Sequence, residues 1–319
     1  MINFLCPECK KEIDFQPKMS TLECANCKLQ FEMINGVLKL TAKAQYTDSF
    51  STEWTHFRKT QLDSYTGTRI SEGLFYEYTG WQPSDIKGKN VLDVGCGTGR
   101  YLEVVLKEEP ELLVGVDLSE AVYVAAENLL PKNDRLLFLR CDANHLPLTD
   151  QVFDFVYSIG VIHHTPDPYK TWKNLVRLVK PGGRLAIWVY GKGRGNRLPS
   201  WIPRPIYLYQ FLANRIIPSG TMLKIVLSYV PWAIKLNRKP LIGRITRQLF
   251  PAIDYKGRFP LSEEMLIEWA CLDTFDCFTP KYARTYTVDE IIGWFKNNGF
   301  CDIKVGKHLV SVSGKKLLT

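Results

Sequence analysis

Four cysteines near the start of the chain, Cys6, Cys9, Cys24 and Cys27, form two C-x-x-C pairs with fourteen residues between them. That spacing suits one tetrahedral site closed by four thiolates, each pair sitting on a tight knuckle and a hairpin bringing the knuckles together. Four protein ligands leave no open position, so zinc there is expected to be structural. Disulfides are the alternative, but nothing at the N-terminus resembles a secretory signal. The other five cysteines, at 96, 141, 271, 277 and 301, lack paired spacing and fit free thiols in a reducing cytoplasm.

A second group of residues lies further along. Residues 91–99 read Val91-Leu92-Asp93-Val94-Gly95-Cys96-Gly97-Thr98-Gly99, an apolar strand running into three glycines and then a helical pattern. Without Cβ atoms the backbone can approach a nucleotide-like cofactor, and the following helix offers free amide donors. A dinucleotide fingerprint wants G-x-G-x-x-G; here the third glycine comes one residue early and Asp93 sits inside the strand, which favours a different ligand. The next buried run, 113–119, ends in Asp117, whose carboxylate can accept both hydroxyls of a ribose, with Ser119 placed to cap the following helix. A third strand at 136–140 leads to Asp142, and a fourth, 153–158, ends at Ser158. Strands alternating with helices predict a parallel sheet with the ligand at its carboxyl edge.

In order and spacing these motifs resemble the class I S-adenosylmethionine-dependent methyltransferases, type 11-like. The resemblance covers about 90–190 and 287–317. It rests on the glycine turn, Asp117, Asp142 followed by Leu146-Pro147-Leu148, Phe153-Asp154, and Val179-Lys180-Pro181-Gly182-Gly183. It implies a Rossmann-like α/β fold with a seven-stranded sheet, preceded by a zinc ribbon and interrupted by a helical insertion. It further implies that Gly95, Gly97 and Gly99 line the methionine end of the cofactor, with Asp93 beside them. Asp117 would hold the ribose with Leu118 alongside, Asp142 and Ala143 would meet the adenine, and Ser158 would lie near the sulfonium.

The rest of the domain follows suit. Asp167-Pro168 is a helix start, Pro181-Gly182-Gly183 stops that helix, and 184–190 makes the fifth strand. Thr287 and Glu290 form a capping box opening a helix that Gly299 closes, and 301–309 and 310–315 can pair as the last two strands. The expected division is a zinc ribbon at 1–40, a helical linker and cofactor cover at 41–89, the cofactor-binding core at 90–190, an insertion acting as a substrate lid at 191–286, and a closing helix and hairpin at 287–319. The linker carries Trp54, Phe57, Leu62, Phe75, Tyr76, Tyr78 and Trp81, too aromatic for a tether; simple packing against the sheet is its plainer explanation.

The insertion is the most individual part. From 191 to 253 there are eleven Lys or Arg and no acid, against +8 for the whole chain, so the remainder sums to −3. Trp201, Tyr207, Tyr209, Phe211, Tyr229 and Trp232 interleave with the cations. Such a segment can meet an anionic membrane surface, a phosphate-bearing substrate or nucleic acid, or form a solvated lid. Pro203, Pro205, Pro218, Pro231 and Pro240 are expected to cut it into short amphipathic helices, which favours a lid or lipid contact. No apolar run is long enough to span a membrane, giving a cytoplasmic protein, at most peripheral to one.

The ribbon resembles those fused to or partnering RNA methyltransferases, but 1–40 balances five Lys with five acids, a poor grip on phosphates. The resemblance around 161–168 is to enzymes acting on quinones, glycans and other small metabolites. The expected function is therefore methyl transfer from S-adenosylmethionine to a small, quinone-like, glycan or lipid-linked acceptor. His163 or His164 is the candidate base for a hydroxyl acceptor, and Tyr190, Tyr282 and Tyr286 are candidates for the acceptor pocket. An rRNA or tRNA base methyltransferase and a non-catalytic scaffold are the rivals.

Overall fold

A computed structural model of the chain describes residues 4–13, 21–40, 47–132, 135–192, 210–213, 215–307 and 310–318, with Lys132 and Arg244 described in their main chain alone. The strands are β1 (Phe4–Leu5), β2 (Glu12–Ile13), β3 (Thr21–Glu23), β4 (Gln30–Ile34), β5 (Val37–Lys39), β6 (Asn90–Val94), β7 (Leu112–Asp117), β8 (Leu136–Arg140), β9 (Phe153–Ile159), β10 (Val179–Val189), β11 (Phe300–Val305) and β12 (Val310–Lys316). The helices are α1 (Asp48–His56), α2 (Asp63–Thr66), α3 (Ile70–Thr79), α4 (Pro83–Ile86), α5 (Arg100–Leu106), α6 (Ala121–Leu129), α7 (Pro168–Leu178), α8 (Ser219–Asn237), α9 (Gly243–Leu249), α10 (Glu263–Phe278) and α11 (Val288–Lys296).

The chain divides into two compact units, one of residues 1–43, 71–192 and 282–319, the other of 44–70 and 193–281. The first is built on a ten-stranded sheet in the order β11-β12-β10-β9-β6-β7-β8-β5-β4-β3. From β10 to β8 the strands run parallel, and β12 returns antiparallel beside β10. The central strands β6 to β9 and the second half of β10 are mainly apolar, as burial on both faces requires. Leu92 and Val94 of β6 join one core with Val114, Leu139 and Trp172, while Val91 faces the other with Phe75, Leu102 and Phe138. That alternation is the period of two of a strand set between helical layers.

The sheet is three strands wider than expected. β3, β4 and β5 come from the cysteine-bearing segment, and β5 pairs parallel with β8, Val37 opposite Phe138 and Lys39 opposite Arg140. Phe4, Leu22, Phe31 and Leu38 share a core with Leu139, Leu146 and Leu148. The segment expected as a separate ribbon is thus continuous with the sheet, because it has too little apolar surface to bury alone.

The expected 41–89 linker is split between the units. Phe57 packs with Met222, Val226, Val230 and Phe275 in the second unit, whereas Phe75 and Trp81 join Phe155 and Tyr157 in the first. At the other end, 282–286 belongs with the sheet: Tyr286 donates its amide to the Tyr190 carbonyl, 2.9 Å away. The expectation of short pieces also fails for α8, which runs nineteen residues with Pro231 inside it. Buried Met222, Leu223, Val226, Val230, Ala233 and Ile234 line its inner face, and tertiary burial of that stripe outweighs the amide that proline removes. Trp201, Tyr207 and Tyr209, with Pro203 and Pro205, lie outside the described residues.

Candidate functional site

Parallel strands put their carboxyl ends on one side of the sheet, and register fixes which residues meet there. Val94 of β6 is opposite Val116 of β7, and Asp117 is opposite Arg140 of β8. The glycine turn, Asp117, Leu118 and the Asp142 turn therefore share one edge. Gly95, Gly97 and Gly99 have φ of 85°, 52° and 90°, left-handed values that L side chains resist. A Cβ on Gly95 would come within 2.3 Å of the Val161 side chain, and one on Gly99 within 2.6 Å of Leu129. At these two positions glycine makes room for the protein's own loop and helix.

Asp117 organises the turn. Its Oδ2 accepts the Gly97 amide at 2.9 Å, and its Oδ1 accepts the Ser119 amide at 2.8 Å and the Ser119 hydroxyl at 2.7 Å. Ser119, expected to cap the next helix, does both: it donates its hydroxyl to Asp117, and its Oγ accepts the amide of Ala121, the first residue of α6, at 3.3 Å. Burial raises the Asp117 carboxyl above its ordinary range, while the Ser119 and Gly97 donors oppose the rise. One level deeper in β6, burial first and the Asp117 charge as well push Asp93 well above the usual carboxylate range. Asp93 Oδ2 has no hydrogen-bond partner among the described residues.

After β8, Asp142 caps a short turn begun by Ala143, its Oδ1 accepting from the Asn144 amide at 2.8 Å. Ser158 in β9 is fully buried and donates its hydroxyl to the Val94 carbonyl at 2.8 Å, tying β9 to the strand that carries the glycine turn.

His163 and His164 follow β9 in a single turn. The two rings lie 4.0 Å apart, and the Tyr190 ring covers His163 at 4.1 Å. His163 is fully buried, neither ring nitrogen has a partner among the described residues, and burial holds its pKa well below the ordinary range. It is a neutral imidazole. His164 differs, because its Nδ1 lies 2.6 Å from the Tyr282 carbonyl. A carbonyl can only accept, so that nitrogen carries the proton. Tyr190 joins the histidine group and Tyr282 contributes its main chain, whereas Tyr286 packs on Trp294.

The four cysteines Cys6, Cys9, Cys24 and Cys27 have their sulfurs within 4.8 Å of one another. Both knuckles have the same build: the Lys10 amide donates to the Cys6 carbonyl at 3.0 Å and the Lys28 amide to the Cys24 carbonyl at 2.8 Å. Lys10 and Lys28 both have φ of 61°. The shortest sulfur separations, 3.4 Å for Cys6 with Cys27 and 3.5 Å for Cys9 with Cys24, are far beyond a disulfide at about 2.05 Å. They approach the roughly 3.8 Å spacing of thiolates about 2.3 Å from a central tetrahedral ion. The Lys11 amide, above other causes, draws the Cys9 thiol down to about 6. The cluster can hold a metal ion.

Sequence reading missed Val161, which closes over Gly95, and Arg140, whose Nε donates to the Leu118 carbonyl at 3.3 Å. Both act across elements, where no local pattern signals them.

Residues 92–187 match the family model described as a methyltransferase domain. A ubiquinone biosynthesis O-methyltransferase of Coxiella burnetii is 37% identical over 105 residues, which are 33% of this chain and 44% of that protein. A tRNA U34 carboxymethyltransferase of Hydrogenovibrio crunogenus is 37% identical over 109 residues, 33% of each chain. The chain thus spans less than half the length of these curated relatives. Among solved structures, a SAM-dependent methyltransferase from Aquifex aeolicus is 26% identical over 45% of this chain and 72% of its own, with a TM-score of 0.35. The glycine turn and the acidic strand ends at Asp117 and Asp142 lie within the segment that matches the methyltransferase-domain model.

Proposed function

We propose that the protein transfers a methyl group from S-adenosylmethionine to a small-molecule acceptor, and that a structural zinc ion closes its four-cysteine cluster. The observation that carries the first part is Asp117, whose carboxylate is fixed by Gly97 and Ser119 at the end of β7. Two oxygens offer about four acceptor positions, and those three bonds leave about one for a ribose hydroxyl. The cofactor's adenosine and ammonium groups are donors. Asp117 and Asp142 supply acceptors along the edge where such a ligand would lie, with Asp93 buried one level beneath them, so the residues present fit it.

A sulfonium methyl donor brings its own driving force, so the chain's task is to align the acceptor and exclude water. Gly95, Gly97 and Gly99 keep the turn low, while Leu118 and Ala143 present apolar surface beside the acids. Ser158 holds the turn's strand in place. For a hydroxyl acceptor, a neutral imidazole with unpartnered nitrogens can take the proton at the moment of attack. His163 suits that role better than His164, whose Nδ1 is committed to Tyr282. Tyr190 covers His163, so the acceptor would have to move that ring.

Calorimetric titration with S-adenosylhomocysteine tests the reading: micromolar binding by the metallated chain supports it, and no heat at millimolar ligand overturns it. Incubation with labelled donor and separate pools of phenolic metabolites and tRNA tests the acceptor class. Label in tRNA alone would select the RNA reading that the cysteine cluster invites.

A further inference from the structure

Within the second unit, the outward side of α8 exposes Ile225 and Trp232 among lysines, and the segment through α9 exposes Leu241, Ile242, Ile245, Leu249 and Phe250. On α8 the exposed residues Lys224, Ile225, Ser228, Trp232, Lys235 and, just beyond its end, Lys239 recur every three or four positions, the stripe of one helix face. Leu241 is 93% exposed and Ile245 62%, with Ile242, Leu249 and Phe250 exposed beside them in sequence. The Trp232 and Phe250 rings meet at 4.8 Å, which joins the α8 stripe to the end of α9. We infer that this surface docks on an anionic lipid bilayer.

Charge supports that occupant. No acid occurs between 191 and 253. Lys224, Lys235 and Lys239 make no ion pair among the described residues. Of the acids that follow, Asp254 and Glu263 are taken up by Arg238, whose Nε and Nη2 reach the Asp254 oxygens at 2.7 and 2.8 Å and whose Nη1 meets Glu263. Exposed aliphatics bounded by unpaired lysines, with a tryptophan between them, match a helix pair lying in the headgroup layer. Nucleic acid fits less well, since Leu241, Ile245 and Leu249 gain nothing from phosphates. Pairing with a second copy would set the lysines of one stripe against those of the other.

The inference does not depend on methyl transfer, and its test contains no cofactor. The full-length metallated protein is sedimented with vesicles of phosphatidylglycerol and phosphatidylcholine in equal parts, and with phosphatidylcholine alone. Two variants run alongside: Ile245→Asp with Leu249→Asp, and Lys224→Gln with Lys235→Gln and Lys239→Gln. All these positions are exposed, and an unchanged thermal midpoint confirms folding. The wild type is expected to pellet with the anionic vesicles only, the apolar variant to lose at least tenfold in binding, and the lysine variant about fivefold per charge removed. A wild type that stays in the supernatant overturns the inference. So does an apolar variant that binds normally, a lipid-free dimer that Ile245→Asp dissolves, or a tRNA gel shift lost in both variants while vesicle binding persists.

Discussion

The cysteine cluster and the glycine edge are two candidate ligand sites in one unit, and they are held in place by different means. Cys6, Cys9, Cys24 and Cys27 sit on turns between strands of two to five residues, so beyond the core that Cys6, Cys9 and Cys24 share with Phe4, Leu22 and Phe31 little regular structure holds the sulfurs together. Asp93, Gly95 and Asp117 end long-buried strands, and their positions follow from register and from bonds the protein makes to itself. The first site is framed by short hairpins that a shared ion would brace; the second is assembled from buried strands and has only to receive its ligand.

Metal removal should break this comparison most visibly. Structural zinc sites contribute on the order of 10 kcal/mol to the folding of small modules, so chelation or Cys24→Ser should leave β3, β4 and β5 unprotected in hydrogen exchange while β6, β7 and β9 stay protected. Metal analysis should give about one zinc per chain before chelation. Equal loss of protection across the sheet would mean that the two regions are not independent. Next in size, Asp117→Ala should weaken S-adenosylhomocysteine binding about 10- to 100-fold, as expected when one hydrogen bond to a charged acceptor worth about 1.5–3 kcal/mol is lost, with circular dichroism unchanged. Full affinity would remove the ribose assignment.

Gly95→Ala should cost about 1–3 kcal/mol in urea unfolding, since alanine must adopt a left-handed φ against Val161. Adding Val161→Ala should recover the steric share and leave the conformational one, a coupling that a double-mutant cycle isolates. The smallest effect concerns His163. Its folded pKa lies below the unfolded value of about 6.5, so the neutral form is favoured by folding. That contribution is complete above about pH 6.5 and is lost progressively as pH falls below it. His163→Phe should flatten the acid side of a plot of thermal midpoint against pH; an unchanged slope would show that His163 is not the group responsible.

Much of the sheet could be read in advance because its signals are local. The glycine run, the acid after each apolar strand and the capping box at Thr287 and Glu290 each lie within a few residues, and the box forms as expected. The spacing of the cysteines was equally plain, and their sulfurs do converge. What escaped notice depends on partners far along the chain. Nothing in Val37-Leu38-Lys39 announces pairing with β8, and nothing in Phe57 or Phe75 says that they belong to different units. Pro231 suggested a break in α8 because propensity was read without the buried stripe that overrides it. The commitment of Asp117 to Ser119, and the isolation of the His163 nitrogens, required coordinates.

The parallel match of β5 to β8 has a further consequence. Were the cysteine-bearing strands to peel away, β8 would become a border strand with bare amides and carbonyls on an apolar ribbon, the kind of rim that recruits neighbouring chains. As folded, the sheet instead terminates at β3, three residues long with Thr21 and Glu23 facing solvent. The cysteine-bearing segment would then also be a selvedge that keeps a doubly wound fabric from fraying into aggregates, and, with zinc as its clasp, starving cells of that metal would reveal itself as insolubility before any turnover was measured.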